Sequence, residues 1–385
     1  MSSPDLTEAE REAVSAVLRT PYLSMGPQLE AFEAAIRTFA GSRHAIGVSS
    51  GTAGLHLCVR AVGIQAHDLV ITTPFSFVAS ANVLLYEGAV PVFVDVEPRS
   101  GNIDHAQIRS AISDLLRGGK AAEKWLPRKG VRKNARVRGI LPVDVFGQPA
   151  EMDSIRKIAQ EFNLFVIEDA CEALGAEYKG RPAGTLGDCG VFAFYPNKQI
   201  TTGEGAVIVT DDHQMAEYLR ALRNQGRATE DTWLEHTYLG YNYRLDEMSA
   251  ALGVVQMRRL TELLDKRARV AGWYEERLGG IGVETPQVLP ETTRPSWFVY
   301  VVRLSPDLNR DAVAQALAEL GIPTRPYFAP IHLQPYMVER FDYRPGDFPV
   351  TEDLGRRGLA LPFSSVMTEG QVEEVCKALE AAIIN

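Results

Sequence analysis

The stretch GVFAFYPNKQITTGEGAVIVT, residues 190–210, decides the fold. GVFAFY (190–195) and AVIVT (206–210) are short, apolar and rich in β-branched and aromatic residues, the composition of buried strands. Between them lies Lys198, ahead of a Gly-Glu-Gly turn. Open α/β sheets gather their active residues on loops at strand ends, so Lys198 is placed where such a sheet does its chemistry. A lone loop lysine is usually a surface residue. Only its surroundings can change that reading.

Working outward, the same punctuation recurs. AIGVSS (45–50), DLVITT (68–73), PVFVDV (91–96), VRGILPV (137–143) and LFVIED (164–169) read as strands. Ala53–Val62, Val78–Glu87, Asp104–Leu116, Met152–Phe162 and Gln214–Arg223 read as helices long enough to cross between parallel strands. The expected fold is α/β, a large domain with a mostly parallel seven-stranded sheet over residues 1–250. Past YNYRLDEMSAALG the apolar residues Met248, Leu252, Val255, Leu260, Leu263 and Leu264 predict one long helix from Asp246 to about Leu278. That helix is expected to open a second unit, residues 251–385, in which it links to a smaller α+β C-terminal domain. WFVYVVRL (297–304) is its strand, NRDAVAQALAELG (309–321) a helix, and another helix follows Thr368.

Composition bounds the function. With 385 residues, 45% hydrophobic and 23% charged, the chain is that of a soluble globular protein. A net charge of −9 argues against a nucleic-acid binder. No apolar run reaches the ~18 residues of a membrane span, and the acidic start SSPDLTEAEREAV is unlike a secretory signal. Cys58, Cys171, Cys189 and Cys376 are too irregularly spaced for a zinc knuckle or a disulfide framework, which fits a cytoplasmic protein. The seven His show no metal-ligand spacing, so no metal is expected. From Arg117 to Arg138 nine basic residues face one acid, Glu123. Such a run is either a solvated excursion or a phosphate-attracting flap near the site.

Three segments give Lys198 its context. VIEDACEALGA (166–176) ends a strand at Asp169, whose carboxylate would hold a pyridine nitrogen protonated and so turn the ring into an electron sink. VSSGTAGLHLCVRA (48–61) runs from a strand through Ser50, Gly51 and Thr52 into a helix, a cup of N–H groups and hydroxyls for a phosphate. PFSFVASAN (74–82) sets Phe75 and Phe77 after a strand, and Phe77 could stack on an aromatic ring. A neutral lysine amine condenses with an aldehyde, and pyridoxal 5'-phosphate brings aldehyde, pyridine ring and phosphate together.

The ordered series GPQLEAFE (26–33), SSGTAGL, PFSFVAS, GAVPVFVDV, VDVFGQPAEMD, VIEDACEALGA, FYPNKQITTGEGA, GYNYRLDEMSAALG and APIHLQPY resembles the DegT/DnrJ/EryC1/StrS family of sugar aminotransferases, from about residue 20 to 365. The resemblance implies the fold-type-I aminotransferase architecture, a homodimer with shared active sites, and transfer of an amino group from L-glutamate to a nucleotide-linked keto sugar. It implies that Lys198 is the Schiff-base lysine and that Asp169 pairs with the pyridinium nitrogen. Glu172 would lie near the cofactor hydroxyl, Gly51 and Thr52 at the phosphate and Phe77 on the ring. Asn242 would reach the phosphate of the partner subunit's site, and Tyr327 and His332 would approach the sugar nucleotide.

The chain departs from the family at Ala193, often a phosphate-binding serine, a part that Tyr195 or water could take over; it departs also at Glu172, often Gln, and at Asp144, often His. Relatives with histidine in place of the lysine dehydrate the sugar instead, and this chain keeps Lys198. A cyclitol or other small ketone is the alternative substrate. A binding protein that holds the cofactor without turnover would need a DNA-binding segment, and a Rossmann oxidoreductase would need G-x-G-x-x-G where the chain has SSGTAGL.

Overall fold

The computed structural model describes residues 2–132 and 135–384; Lys133 of the basic run lies outside the described residues. The seven expected strands form one sheet: β1 His44–Val48, β2 Leu69–Thr72, β3 Val90–Phe93, β4 Val137–Leu141, β5 Phe165–Asp169, β6 Cys189–Ala193 and β7 Ala206–Thr210. Their order is β1-β7-β6-β5-β4-β2-β3. β3, β2, β4, β5 and β6 pair in parallel, while β7 runs antiparallel to both β6 and β1. Six strands therefore end at the same edge.

Strand side chains alternate between two apolar layers, as the period of two requires. On β7, Ile208 joins one layer with Leu55, Leu84 and Leu219 of the covering helices, while Val207 and Val209 join the opposite one with Phe32 and Ile36. Burial on both faces explains why these strands read as continuous apolar runs. In β6 the main chain of the 182–187 loop lies against Gly190, where a Cβ would come 1.9 Å from the Gly184 carbonyl oxygen. Only glycine admits that approach. The loop then donates Gly184, Leu186 and Gly187 N–H groups to the buried Glu168 carboxylate.

Two expectations about elements are corrected. The long helix is two, Glu247–Arg258 and Leu260–Leu278, which meet at Arg259. The first packs on the N-terminal helices and the second turns into a separate core around Tyr274, Tyr300 and Leu379, so no single straight axis serves both. Arg259 pins the junction through Asp5 and Glu10. The strand expected over 297–304 begins only at Tyr300, because Trp297 takes a left-handed φ of 51°. It pairs with Val283–Glu284 and with Gly358–Leu361, to which Arg325–Pro326 adds, giving a four-stranded antiparallel sheet.

The basic excursion leads into the start of β4, where Arg136 O accepts from Leu69 N at the head of β2. It therefore stands at the N-terminal edge of the sheet, opposite Lys198, and the flap reading is set aside. It is not simply solvated either. Trp125 and Leu126 pack against the core, Arg128 is paired with Asp347, and Lys129 N donates to Phe341 O.

Candidate active site

β4, β5 and β6, and the turns that follow β1 and β2, deliver their residues to one edge. Lys198 sits five residues beyond β6, in a loop closed by Lys198 N donating to Tyr195 O at 2.9 Å and Thr202 N to Phe194 O at 3.0 Å. Its side chain is only 13% exposed. Nζ lies 3.6 Å from Glu172 Oε1 and 3.8 Å from the centroid of the Phe298 ring. Glu172, three residues past β5, accepts Phe146 N on its other oxygen at 2.9 Å. Burial pushes the Glu172 carboxyl above its ordinary range, and the Lys198 charge and the Phe146 N–H oppose that rise.

Asp169 closes β5. Its Oδ2 accepts from Ser80 Oγ at 2.6 Å and its Oδ1 from Cys171 N at 3.2 Å. Ser76 Oγ stands 3.1 Å behind Ser80 Oγ. These two serines escaped the sequence reading, because Ser76 stands in the turn ahead of the helix Ala79–Tyr86 and no helical spacing joins it to Ser80.

After β1, Ser50 caps the helix Gly51–Ala61 by accepting Ala53 N at 3.1 Å. A Cβ on Gly51 would meet Ala193 Cβ at 3.0 Å and Cys171 Sγ at 3.1 Å. Glycine at 51 and a small residue at 193 thus let the helix start settle directly on β6. The helix terminus offers N–H groups and hydroxyls to an anion, Asp169 offers a carboxylate, and Lys198 an amine. That donor set fits the phosphate, the ring nitrogen and the aldehyde of pyridoxal phosphate.

Residues 4–380 match the model of the DegT/DnrJ/EryC1/StrS aminotransferase family. The chain belongs to this family. It is accordingly a pyridoxal phosphate-dependent aminotransferase of fold type I. It is 37% identical over 390 residues to a GDP-perosamine synthase of Caulobacter vibrioides, covering 100% of this chain and 98% of that protein. It is 34% identical over 382 residues to EpsN of Bacillus subtilis, whose name places it among the pyridoxal phosphate-dependent aminotransferases, covering 98% and 94%. Among solved structures, a DegT/DnrJ/EryC1/StrS aminotransferase from Brucella abortus superposes with a TM-score of 0.87 at 30% identity, covering 97% and 95%.

The remaining residues singled out by the family resemblance divide. Phe77 stands at the same edge with 62% of its surface exposed, whereas Phe75 is buried against Phe146 and Phe328. Tyr327 packs on Phe146 and Phe298, and its phenol is pushed up to about 12 by burial, with the Glu172 charge adding to the rise. Tyr195 is exposed. Asn242 is exposed too, between Tyr241 and Tyr243, whose rings stack at 5.0 Å. Those tyrosines are anchored below by Glu87 and His56.

His332 is corrected. It is fully buried, its Nε2 sits 3.0 Å from Glu352 Oε1, and its ring meets Phe348 edge-on. The side chain is enclosed by that packing, with none of its surface open.

Asp144, the histidine position of other members, is also fully buried. Its Oδ1 accepts Ala150 N at 2.9 Å, and Oδ2 receives no hydrogen bond from a donor. Burial and the neighbouring Glu168 carboxylate hold the Asp144 carboxyl well above its usual range.

Proposed function

We propose that the enzyme moves an amino group from L-glutamate to a nucleotide-linked keto sugar, as a homodimer in the cytoplasm. The observation that carries this reading is the convergence of Lys198, Glu172, Asp169 and the Gly51 helix start on one sheet edge. The name GDP-perosamine synthase, borne by a relative that matches the whole chain, favours a nucleotide-linked sugar over a cyclitol.

Lys198 Nζ is the proposed attachment point, and as general base and acid the same amine would take the proton from the amine-bearing substrate carbon and return it in the reverse half. Asp169, fixed by Ser80 and Cys171 N, pairs with the ring nitrogen. Bound pyridoxal phosphate supplies the electron sink that makes proton removal at the substrate carbon feasible. Gly51 and Thr52 hold the phosphate, Phe77 covers the ring, Glu172 lies at the cofactor hydroxyl, and Tyr327 faces the sugar. The Ser50 hydroxyl, already accepting Ala53 N, still has a proton to donate.

The partner subunit's Asn242 completes the phosphate contacts in this reading. Its support is exposure, together with the exposed apolar residues Trp233, Leu234 and Leu239 on the neighbouring loop, which a second chain would cover. We divide the chain into a cofactor-binding domain over residues 1–250 and a linker helix with a small domain over 251–385. The second core, drawn from Val270 onward, supports a separate C-terminal unit, while the helix Glu247–Arg258 that spans the boundary packs on the N-terminal helices. Four unpaired cysteines accord with a reducing compartment, and no helix among the described residues is long and apolar enough to cross a membrane.

The test is a panel of nucleotide-linked keto sugars, with an inosose beside them, each incubated with glutamate and read by mass spectrometry. Amination of a sugar nucleotide is expected. Turnover of the inosose alone would overturn the substrate reading.

A further inference from the structure

Arg267 lies in the helix Leu260–Leu278 and is 2% exposed. A buried guanidinium normally takes a carboxylate partner, because an uncompensated charge in a protein interior is costly. Arg267 spends its donors on main-chain carbonyls instead. Nη2 donates to Asn197 O at 3.3 Å and to Lys198 O at 2.5 Å. Nη1 donates to Trp297 O at 3.1 Å and Phe298 O at 3.2 Å. Its Nε, also buried, has no acceptor. Burial draws its pKa down to about 10, which leaves it a cation at neutral pH.

These bonds close a circuit. Phe298 N donates to Phe146 O at 3.2 Å, Phe146 N donates to Glu172 Oε2, and Glu172 Oε1 faces the Lys198 amine. The amine in turn lies over the Phe298 ring. One planar fork therefore grips the backbone of the lysine and the backbone of the ring beneath it, from an element that belongs to neither.

We propose that Arg267 is a positioning residue that sets where Lys198 Nζ stands between Glu172 and Phe298, and so how readily the amine captures the cofactor aldehyde. The inference rests on Lys198 being the attachment point.

The experiment follows capture by apoprotein. Pyridoxal phosphate is added, samples are quenched with borohydride at intervals, and the label on Lys198 is quantified by peptide mass spectrometry. Melting temperature and competition by pyridoxamine phosphate report folding and non-covalent binding. Arg267→Lys keeps the charge and loses the fork. It is expected to fold and to bind pyridoxamine phosphate like the parent, yet to capture the aldehyde roughly ten- to a hundredfold more slowly. Arg267→Ala is expected to behave alike and to regain speed when guanidinium ion is supplied. Capture by Arg267→Lys at the parent rate would overturn the proposal, as would a slowing matched by equal loss of pyridoxamine phosphate binding with no guanidinium rescue. If the parent itself is not labelled at Lys198, the attachment reading falls first and the proposal with it.

Discussion

Glu172 divides its carboxylate between two tasks, holding Oε1 3.6 Å from Lys198 Nζ while Oε2 accepts the Phe146 N–H. Glutamine can keep the second bond but not the charge. Alanine keeps neither and strands a buried N–H, at a cost of about 1–3 kcal/mol. Thermal scans of Glu172→Gln and Glu172→Ala are therefore expected to separate, with only alanine lowering the melting temperature by several degrees. Equal melting of the two variants would show that the Phe146 bond contributes nothing.

Lys198→Ala is expected to lose turnover and the visible absorbance that follows addition of pyridoxal phosphate. Full activity in this variant would end the mechanism proposed for the site.

Asp169 and Ser80 are expected to fail by degrees. Asp169→Asn removes the charge proposed to pair with the ring nitrogen, so a roughly hundredfold or greater fall in kcat is expected with cofactor still bound. Ser80→Ala removes only the 2.6 Å hydrogen bond that orients the carboxylate, and a fall of roughly tenfold is expected. Steady-state rates at saturating cofactor measure both. A larger loss from Ser80→Ala than from Asp169→Asn would reverse the assignment.

Asp144 and Glu168 give stability a dependence on pH. Because the Asp144 carboxyl is raised by burial and by Glu168, the folded chain binds its proton more tightly than the unfolded chain does. That contribution is fully present below the ordinary carboxylate range and is lost as pH rises toward the raised folded value. In Asp144→Asn the amide oxygen can still accept Ala150 N, and the amide N–H can face Glu168 without titrating. Melting temperature against pH is expected to be flatter than in the parent and no lower above neutrality. A profile parallel to the parent's would remove Asp144 from the account.

Glu10 has the opposite sign. Burial would raise its carboxyl, but bonds from Thr7, Arg259 and Gln256 outweigh that and pull it down to about 2. Its stabilisation is present above the ordinary carboxylate range and is lost as pH falls toward 2. At about 1.4 kcal/mol per tenfold change in proton affinity, Glu10→Gln is expected to cost up to about 3 kcal/mol at neutral pH. Urea titrations of parent and variant check this, and the gap should close in acid. A gap that persists unchanged at low pH would assign the loss to packing instead.

The sheet was legible because strands buried on both faces must be apolar throughout, and the placing of Lys198 and Asp169 at one edge because each closes or follows a parallel strand. The break at Arg259 was not legible. The apolar spacing continues through it, and what ends the helix is an N-terminal segment, Asp5 to Glu10, far away in the chain. The strand Gly358–Leu361 was missed for a related reason, since GLAL is too short to reveal its period and acquires its pairing from Tyr300–Leu304. His332 shows a different limit. The family resemblance put it near the sugar nucleotide, and only the fold revealed Glu352 and Phe348 around it. Phe298 and Arg267 reach Lys198 from the C-terminal part of the chain, and no local pattern announces a contact made across about 70 or 100 residues.

The excursion at the far edge of the sheet gives the molecule an electrical direction. Residues 117–138 carry +8 within a chain of net −9, so the rest of the protein bears −17. Some of that positive charge is met by Asp68, Asp114 and Asp347, but Lys120, Lys129, Arg132 and Arg136 have no ion pair among the described residues. An acidic protein with such a pole should be retained by a cation exchanger at low salt and released as the field is screened. It would land pole first. Immobilised on a negatively charged support, the enzyme would thus turn the edge that carries Lys198 toward the solution, where substrates can reach it.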